Sequence, residues 1–313
     1  MTDPTCTFVI PTHNRPRQLS DCLDAVAALD YPRELVDVIV VGDGYGPVGH
    51  RPDATFIHQD PRGPSPARNE GVCAASGDLI AFMDDDCRPA RDWLRRLVES
   101  WRREPTAAVG GYTVNALAGN RYARASQVII DIGYRQNGDE PNAARFFTTN
   151  NMVLTREQFL AIGGFDETFW TSEDRDLADR WLERGWPMRY EPEALIFHGH
   201  AMGLRGYVRQ HFEYGRGSER FWRKRAESGR GGLDIDPDFY LTVARAPLRA
   251  DSRRLELALM LLLWHLINTV GFLYERRRAR RGLSPIGAEL GQRTGPRRAA
   301  EQDPEPARQS AGG

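Results

Sequence analysis

Lysine is almost absent from this chain: of its 42 cationic side chains only Lys224 is a lysine. No binding mechanism calls for arginine everywhere, so the bias reads as the coding preference of a GC-rich genome. Net charge is nearly absent too, at -1 with 43 Asp+Glu against 42 Lys+Arg, and no global field draws the chain to nucleic acid. Cysteine is scarce. Cys6, Cys22, Cys73 and Cys87 show no CxxC spacing, which argues against a zinc or disulfide framework and fits free cytosolic thiols. No apolar run precedes the first strand, so the chemistry is expected to face the cytoplasm. Residues 11–15 contain no glycine, which counts against the phosphate loop of a nucleotidyltransferase.

What is present is an ordinary globular composition, 41% hydrophobic and 27% charged, in a chain long enough for one large domain with additions or for two. Residues 7–10, 36–41, 54–58 and 79–83 are short apolar runs without polar alternation. Helical patterns over 18–29, 67–75 and 92–103 separate or follow them, and a further strand is expected near 107–112. Such strands belong to an α/β fold with a mainly parallel central sheet covered on both faces. In that architecture the ligand sits beyond the carboxyl ends of the strands. Here those ends read Pro11-Thr12-His13-Asn14-Arg15, Gly42-Asp43-Gly44 and Asp84-Asp85-Asp86.

Three adjacent carboxylates at one strand end repel one another unless a cation or hydrogen bonds offset them. A divalent cation gripping a diphosphate is the functional reading, and a solvated acidic turn is the plain one. Residues 173–176 pose a similar choice. Acids at a helix start serve as caps, yet a carboxylate there can also act as a general base toward an attacking hydroxyl. The stretch 126–147, rich in Gly, Asn, Asp and Pro, reads as a loop. Further strands are expected over 150–154 and 195–198, with helices over 156–162 and 174–184.

Five motifs then occur in order: FVIPTHNR at 8–15, VVGDG at 40–44, ARNEG at 67–71 with ASGDLIAFMDDD at 75–86, GGFDE at 163–167, and SED at 172–174. Together they resemble the inverting family 2 glycosyltransferases of GT-A fold, over roughly residues 5–200. The resemblance implies a GT-A nucleotide-binding sandwich. Pro11, Thr12 and His13, with Asn14 and Arg15 behind them, resemble the first-strand loop that wraps the nucleotide. Asp43 resembles the second acid of a base-reading turn whose first acid is replaced by Gly42. Arg68 resembles an arginine that helps hold the nucleotide. Asp84 and Asp85 resemble acids near the ribose and diphosphate, and Asp86 the acid facing a Mg²⁺ or Mn²⁺ ion. A late histidine completes the metal shell in some such enzymes, which makes His198 a candidate beside His200. Asp174 matches the catalytic base. Asn150, Asn151, Trp170, Thr171 and Glu173 fall on the acceptor side. The implied reaction is one direct displacement from a nucleoside-diphosphate sugar, UDP-sugar first, onto a glycan, lipid-linked or small-molecule acceptor in cell-envelope or polysaccharide synthesis. The alternative is a nucleotide-sugar-binding protein that no longer catalyses.

The catalytic domain is thus expected over 1–202, a helical extension over 203–275 and a disordered Arg/Pro-rich tail over 276–313. Cations and aromatics interleave between Arg205 and Arg225, as solvated helix faces or as a surface for anionic lipid headgroups or a lipid-diphosphate acceptor. Residues 257–274 form an apolar run flanked by Arg253-Arg254 and Arg276-Arg277-Arg278. It is expected to lie on a membrane or dock on the catalytic domain rather than to span, giving peripheral contact with the inner face of a membrane.

Overall fold

The first strand, β1 (Cys6–Thr12), is buried on both faces, because its alternate side chains enter two different cores. Phe8 and Ile10 join Leu19, Cys22 and Val26 of helix α1 (Pro16–Ala27). Val9 points the other way, onto Ala67 and Val72 of α2 (Pro64–Ala74). That is why the run lacks polar alternation. In the computed structural model the described residues are 2–44, 51–135, 144–199, 201–250 and 253–283.

The remaining strands are β2 (Val36–Asp43), β3 (Thr55–Gln59), β4 (Leu79–Phe82), β5 (Cys87–Pro89), β6 (Ala108–Asn115), β7 (Met152–Thr155) and β8 (Met188–His198). They form one eight-stranded sheet in the order β3-β2-β1-β4-β7-β6-β8-β5. Pairings of β1 with β2 and β4, β2 with β3, and β6 with β8 are parallel. β7 is antiparallel to β4 and β6, and β5 to β8. The mainly parallel sheet of the sequence reading is therefore present, with its parallel nucleotide half placed against an antiparallel seam.

On one face lie α1 and α3 (Trp93–Arg103), with Trp93 and Leu97 fully buried on the sheet. On the other lie α2, α5 (Arg156–Ala161) and α6 (Glu173–Glu183), around Phe82, Phe159, Phe165 and Trp181. The three phenylalanines pack edge to face or tilted, 5.2–5.3 Å between ring centres. Each such ring contributes about 1.5–3 kcal/mol by burial.

The stretch expected as a loop over 126–147 proves helical in its first part. α4 (Arg121–Arg135) buries Ala125 and Ile132 against the C-terminal helices, and tertiary packing outweighs its poor local signal. Residues 136–143 lie outside the described residues.

A third layer comprises α7 (Leu204–Glu227), α8 (Pro237–Arg249) and α9 (Arg254–Arg280). α7 and α9 approach until their backbones nearly touch. A Cβ at Gly215 would collide with the Asn268 carbonyl, and one at Gly271 with that of Phe212. Arg216 then closes the crossing from α7, donating from Nε (2.8 Å) and Nη2 (2.7 Å) to Glu275 of α9. α9 continues to Arg280, past the point where the tail was expected to begin; residues 284–313 lie outside the described residues.

Candidate active site

The three acids that follow β4 fan out, Asp84 to Arg68 and the other two around a shared Arg15. Asp85 is buried: Thr12 donates to it at 2.7 Å and Arg15 at 3.0 Å. Burial pushes its pKa up, while Thr12 and Arg15 oppose that rise. Asp86 accepts from Arg15 at 2.8 Å and lies 3.1 Å from His198 Nε2. Asp84 accepts from Arg68 at 2.7 Å. Thr12 and Arg15 reach these acids because Asn14, at φ 55, reverses the chain between β1 and α1. His13 is held in the same turn by the Asp43 carbonyl.

His198 comes close through register. β5 pairs with β8 so that Cys87 faces His198 across the ladder, which sets the imidazole beside the acid preceding Cys87. Asp86, Cys87 and His198 together form a group whose ligand atoms all lie within 4.8 Å of one another. The Cys87 thiol is buried, which raises its pKa well above the usual value, and a soft sulfur ligand suits other metals than Mg²⁺ or Mn²⁺. One carboxylate and one imidazole remain, a donor set that fits a divalent cation also bound by diphosphate oxygens. His200 lies outside the described residues.

Asp43 takes hydrogen bonds from its own loop. Its carboxylate accepts from the backbone N–H of Arg62 (2.7 Å) and Gly63 (3.0 and 3.1 Å) and from the Gln59 amide (2.7 Å). The acid thereby fixes the turn into α2. Gly63 sits at φ 99, and a Cβ there would strike the Trp170 ring, so glycine is required twice over. Gln59 was not among the residues singled out from sequence, because nothing in its neighbourhood marks it.

Arg68 lies inside the protein, 4% exposed, and bridges two parts of the site. One guanidinium nitrogen donates to Asp84 and the other to Glu173 at 2.9 Å. Glu173, grouped with the acceptor-side residues by sequence, is thus turned inward at the start of α6. Its neighbour Asp174 borders the cleft. Burial first, and then the charge of Glu173, push the Asp174 carboxyl up to about 7. Ser172, just before the pair, adopts a left-handed backbone at φ 69, an uncommon conformation for a non-glycine residue.

Of the two asparagines, Asn150 borders the cleft and accepts from Thr148 at 2.7 Å. Asn151 is fully buried: it accepts from the Trp93 indole at 2.8 Å and donates to Thr113 at 3.3 Å, joining α3 to β6. Trp170 and Thr171 border the cleft, and Thr171 donates to the Glu213 carbonyl of α7 at 2.9 Å.

The C-terminal part of the cationic run in α7 is docked on the protein, while Arg205 and Arg209 at its start are exposed. Lys224 meets Asp166 and Asp176 at 2.7 Å each, and Arg220 stacks over Phe169 at 4.8 Å. α7 therefore clamps both ends of the segment that carries Asp174. The cleft, about 1570 Å³, takes in Asp84, Asp174 and His198, and also residues of α4 and α7 such as Gln127, Tyr134, His211 and Tyr214. Of these, Gln127, Tyr134 and His211 were not singled out from sequence, and Tyr214 was read only as one of the aromatics interleaved with the cations of 205–225. The helical spacing of Ala125, Ile129 and Ile132 was the available signal for α4.

Comparison with known proteins agrees with this geometry. A pre-mycofactocin glycosyltransferase of Mycobacterium tuberculosis is 33% identical over 221 residues, covering 67% of this chain; the chain spans 46% of that relative's length. Glycosyltransferase AglE of Haloferax volcanii is 24% identical over 234 residues, 70% of this chain and 74% of the relative. Among solved structures, the mannosyltransferase PcManGT of Pyrobaculum calidifontis, in complex with GDP-Man and Mn²⁺, matches with TM-score 0.56 at 20% identity, over 93% of this chain and 79% of that one. GalNAc-T7 with UDP, GalNAc and Mn²⁺ matches with TM-score 0.52 at 14% identity, over 78% and 57%. Both share the GT-A fold with this chain. The family model for glycosyl transferase family 2 matches residues 7–212, the span that holds Asp86, Asp174 and His198, and the chain belongs to that family.

Proposed function

We propose that this chain transfers a sugar from a nucleoside-diphosphate donor, UDP-sugar being the first to test, to an acceptor hydroxyl in a single inverting displacement. The observation that carries the reading is Asp174: a carboxylate bordering the cleft that also holds Asp84 and His198, with its pKa raised to about 7. A base with a pKa near the working pH combines a useful ionised fraction with real proton affinity. Asp174 takes the proton of the attacking hydroxyl. Arg68 holds Glu173 beneath it, and Thr12 and Arg15 hold the acid loop against β1.

Asp86 and His198 are the residues that would hold a divalent cation. Such an ion supplies Lewis-acid stabilisation of the leaving diphosphate. The imidazole favours Mn²⁺ over Mg²⁺, which prefers oxygen alone. Four free thiols, three of them buried, fit a reducing cytoplasmic setting.

Residues 1–202 serve as the catalytic domain in this reading, and the extension over 203–275 completes the site through α7. Membrane contact at the inner face belongs to α9. Its most apolar 18-residue window has mean hydropathy 1.8 and is 22% buried. Leu255, Leu259, Leu262, Leu266, Val270 and Leu273 face outward between arginine clusters at either end. Its inner side is already engaged by α7, which favours a helix lying on the surface over one that spans.

A donor panel tests the reading. Release of free nucleoside diphosphate from one donor, dependent on Mn²⁺ or Mg²⁺, is the expected result. No release from any uridine, guanosine or thymidine diphosphate sugar leaves only the inactive binding protein.

A further inference from the structure

The cleft measures about 1570 Å³ and runs from the donor-side residues Arg68, Asp84 and His198 to the C-terminal helices. Its character also changes along its length. Around Asp174 the walls are polar, with Thr148, Asn150 and Gln127. Toward the C-terminal helices they become aromatic and aliphatic, with Phe239, Tyr240, Trp264 and Phe272. Trp264 is half-buried there, tilted against Tyr240 at 6.5 Å and edge-on to Phe239 at 6.3 Å. At that far end Tyr240, Ile235 and Leu273 border the cleft and are exposed to solvent by 41%, 60% and 47%. The apolar arm therefore opens on the surface, and Leu273 makes its lip continuous with the outward leucine stripe of α9.

Between the polar and apolar ends stands His211. It is 3% exposed, borders the cleft and lies 3.5 Å from the Ser126 hydroxyl through Nε2. Its Nδ1 has no hydrogen-bond partner. A buried ring nitrogen without a partner is costly and marks a position where a ligand atom can complete the bonding.

We infer that the acceptor is an amphiphile, with a hydroxylated head placed at Asp174 and His211 and a hydrocarbon tail lying along Trp264 and Phe272 toward the α9 surface. This rests on the sugar-transfer reading for the head and adds the tail. An acceptor that reaches the cleft from a lipid surface explains why the apolar arm and the apolar outer stripe of α9 meet at one residue.

The test uses the full chain and an octyl β-glucoside carrying bromine on its terminal carbon, kept below its micelle concentration. Bromine quenches only tryptophans it approaches. The expected result is a saturable loss of tryptophan emission, displaced by unlabelled octyl glucoside, that Trp264→Phe removes and Leu259→Glu, on the outer stripe, does not. Each buried methylene strengthens binding about fourfold, so the ethyl analogue should compete at least roughly 100-fold less well. No saturable quenching, quenching that persists in Trp264→Phe, or quenching lost in Leu259→Glu each overturns the tail site. Donor turnover is read in parallel. A chain that releases nucleoside diphosphate but shows no quenching loses the amphiphile alone, and one that shows quenching but no release loses the transfer reading alone.

Discussion

Asp166 and Asp174 stand eight residues apart, both partly buried, yet the fold drives them in opposite directions. Burial alone would raise Asp166, but the hydrogen bond from Lys224, with those from Thr168, brings it down to about 2. At Asp174 burial wins, the Glu173 charge adds to it, and the group rises to about 7. The difference lies in what the third layer supplies. α7 gives Asp166 and Asp176 a cation each can share, and it pairs Arg216 with Glu275, both less than 10% exposed. At the sheet ends the acids outnumber their cations. Arg68 divides itself between Asp84 and Glu173, and Arg15 between Asp85 and Asp86. Asp176 also meets Arg180 at 2.8 Å, so Asp166 and Asp176 have two cations between them, and carboxylates matched in this way hold elements together. Carboxylates left short of positive charge stay proton-hungry, or available to a cation and a phosphate.

The sharpest way to break this contrast is to remove the under-neutralised carboxylate. Asp174→Asn keeps the shape but accepts no proton, and kcat should fall about 10²–10⁴-fold while donor affinity stays within a few-fold. A variant that keeps more than about a tenth of wild-type turnover sinks the assignment of Asp174 as base. In the wild type, kcat should climb as pH rises through about 7, since only the ionised form is a base.

Stability should run the other way. Asp174 holds its proton more tightly folded than at its ordinary value of 3.8, so its contribution is fully present below about pH 4 and lost as pH rises through about 7. Asp174→Asn should therefore melt above the wild type at pH 8 and level with it only below about pH 4, the gap opening as pH rises from there to about 7. Equal melting curves at pH 8 would show that the surroundings of Asp174 do not penalise its charge.

Asp86→Ala should abolish turnover and with it the response to added Mn²⁺, leaving the melting temperature nearly unchanged because Arg15 retains Asp85. Chelation of the wild type should produce the same loss. Full activity in excess EDTA excludes a divalent cation from the reaction.

In the third layer the same kind of change should cost stability instead of rate. Glu275→Ala strands Arg216 in the α7–α9 crossing with Glu213 as its remaining partner at 3.2 Å. Removing one partner of a buried pair costs about 3–5 kcal/mol, and Glu213 offsets part of that. Denaturant unfolding should show a loss of about 2–3 kcal/mol. A loss under about 0.5 kcal/mol would mean that the crossing is held by Gly215 and Gly271 packing alone.

How far the sequence disclosed all this follows the same division. The parallel strands were legible because Phe8, Val9 and Ile10 must all be apolar when both faces are covered. The acids at 84–86 and 174 stood out because five motifs occur in order; each taken alone also reads as a solvated acidic turn or a helix cap. Asn151 was harder. Beside Asn150 in sequence it looks equally polar, and only the tertiary fold turns it, at the residue before β7, into the core toward Trp93. Arg68 could be read as a cation near the nucleotide, but its bridge joins residues 84 and 173, a separation no local pattern encodes. The third layer was least legible. α4 was obscured by the glycine, asparagine and proline that follow it. The cations of α7 looked like a solvated or lipid-facing surface, since their partners Asp166, Asp176 and Asp179 lie about 50 residues upstream.

The smallest expected effect on the fold, and the most selective one, concerns the outer stripe of α9. Leu262 and Leu266 are 55% and 53% exposed, so replacing both with glutamate removes little packing and should change unfolding free energy by about 0.5 kcal/mol or less per site. A contiguous apolar face of this kind, rimmed by Arg253, Arg254, Arg276 and Arg277, is uncommon on soluble monomers and fits an anionic bilayer. Wild-type protein should therefore co-sediment with vesicles containing phosphatidylglycerol, and the double variant should remain in the supernatant with its melting curve intact. Arg276→Gln with Arg277→Gln should weaken binding by about 1 kcal/mol per cation removed, with the loss shrinking in high salt. Carbonate extraction of native membranes adds the orientation: a helix lying on the surface is released and a spanning one is retained. Wild-type protein that is monodisperse without lipid or detergent and ignores the vesicles would confine α9 to one task, covering α7 and, through it, holding the segment that carries Asp174.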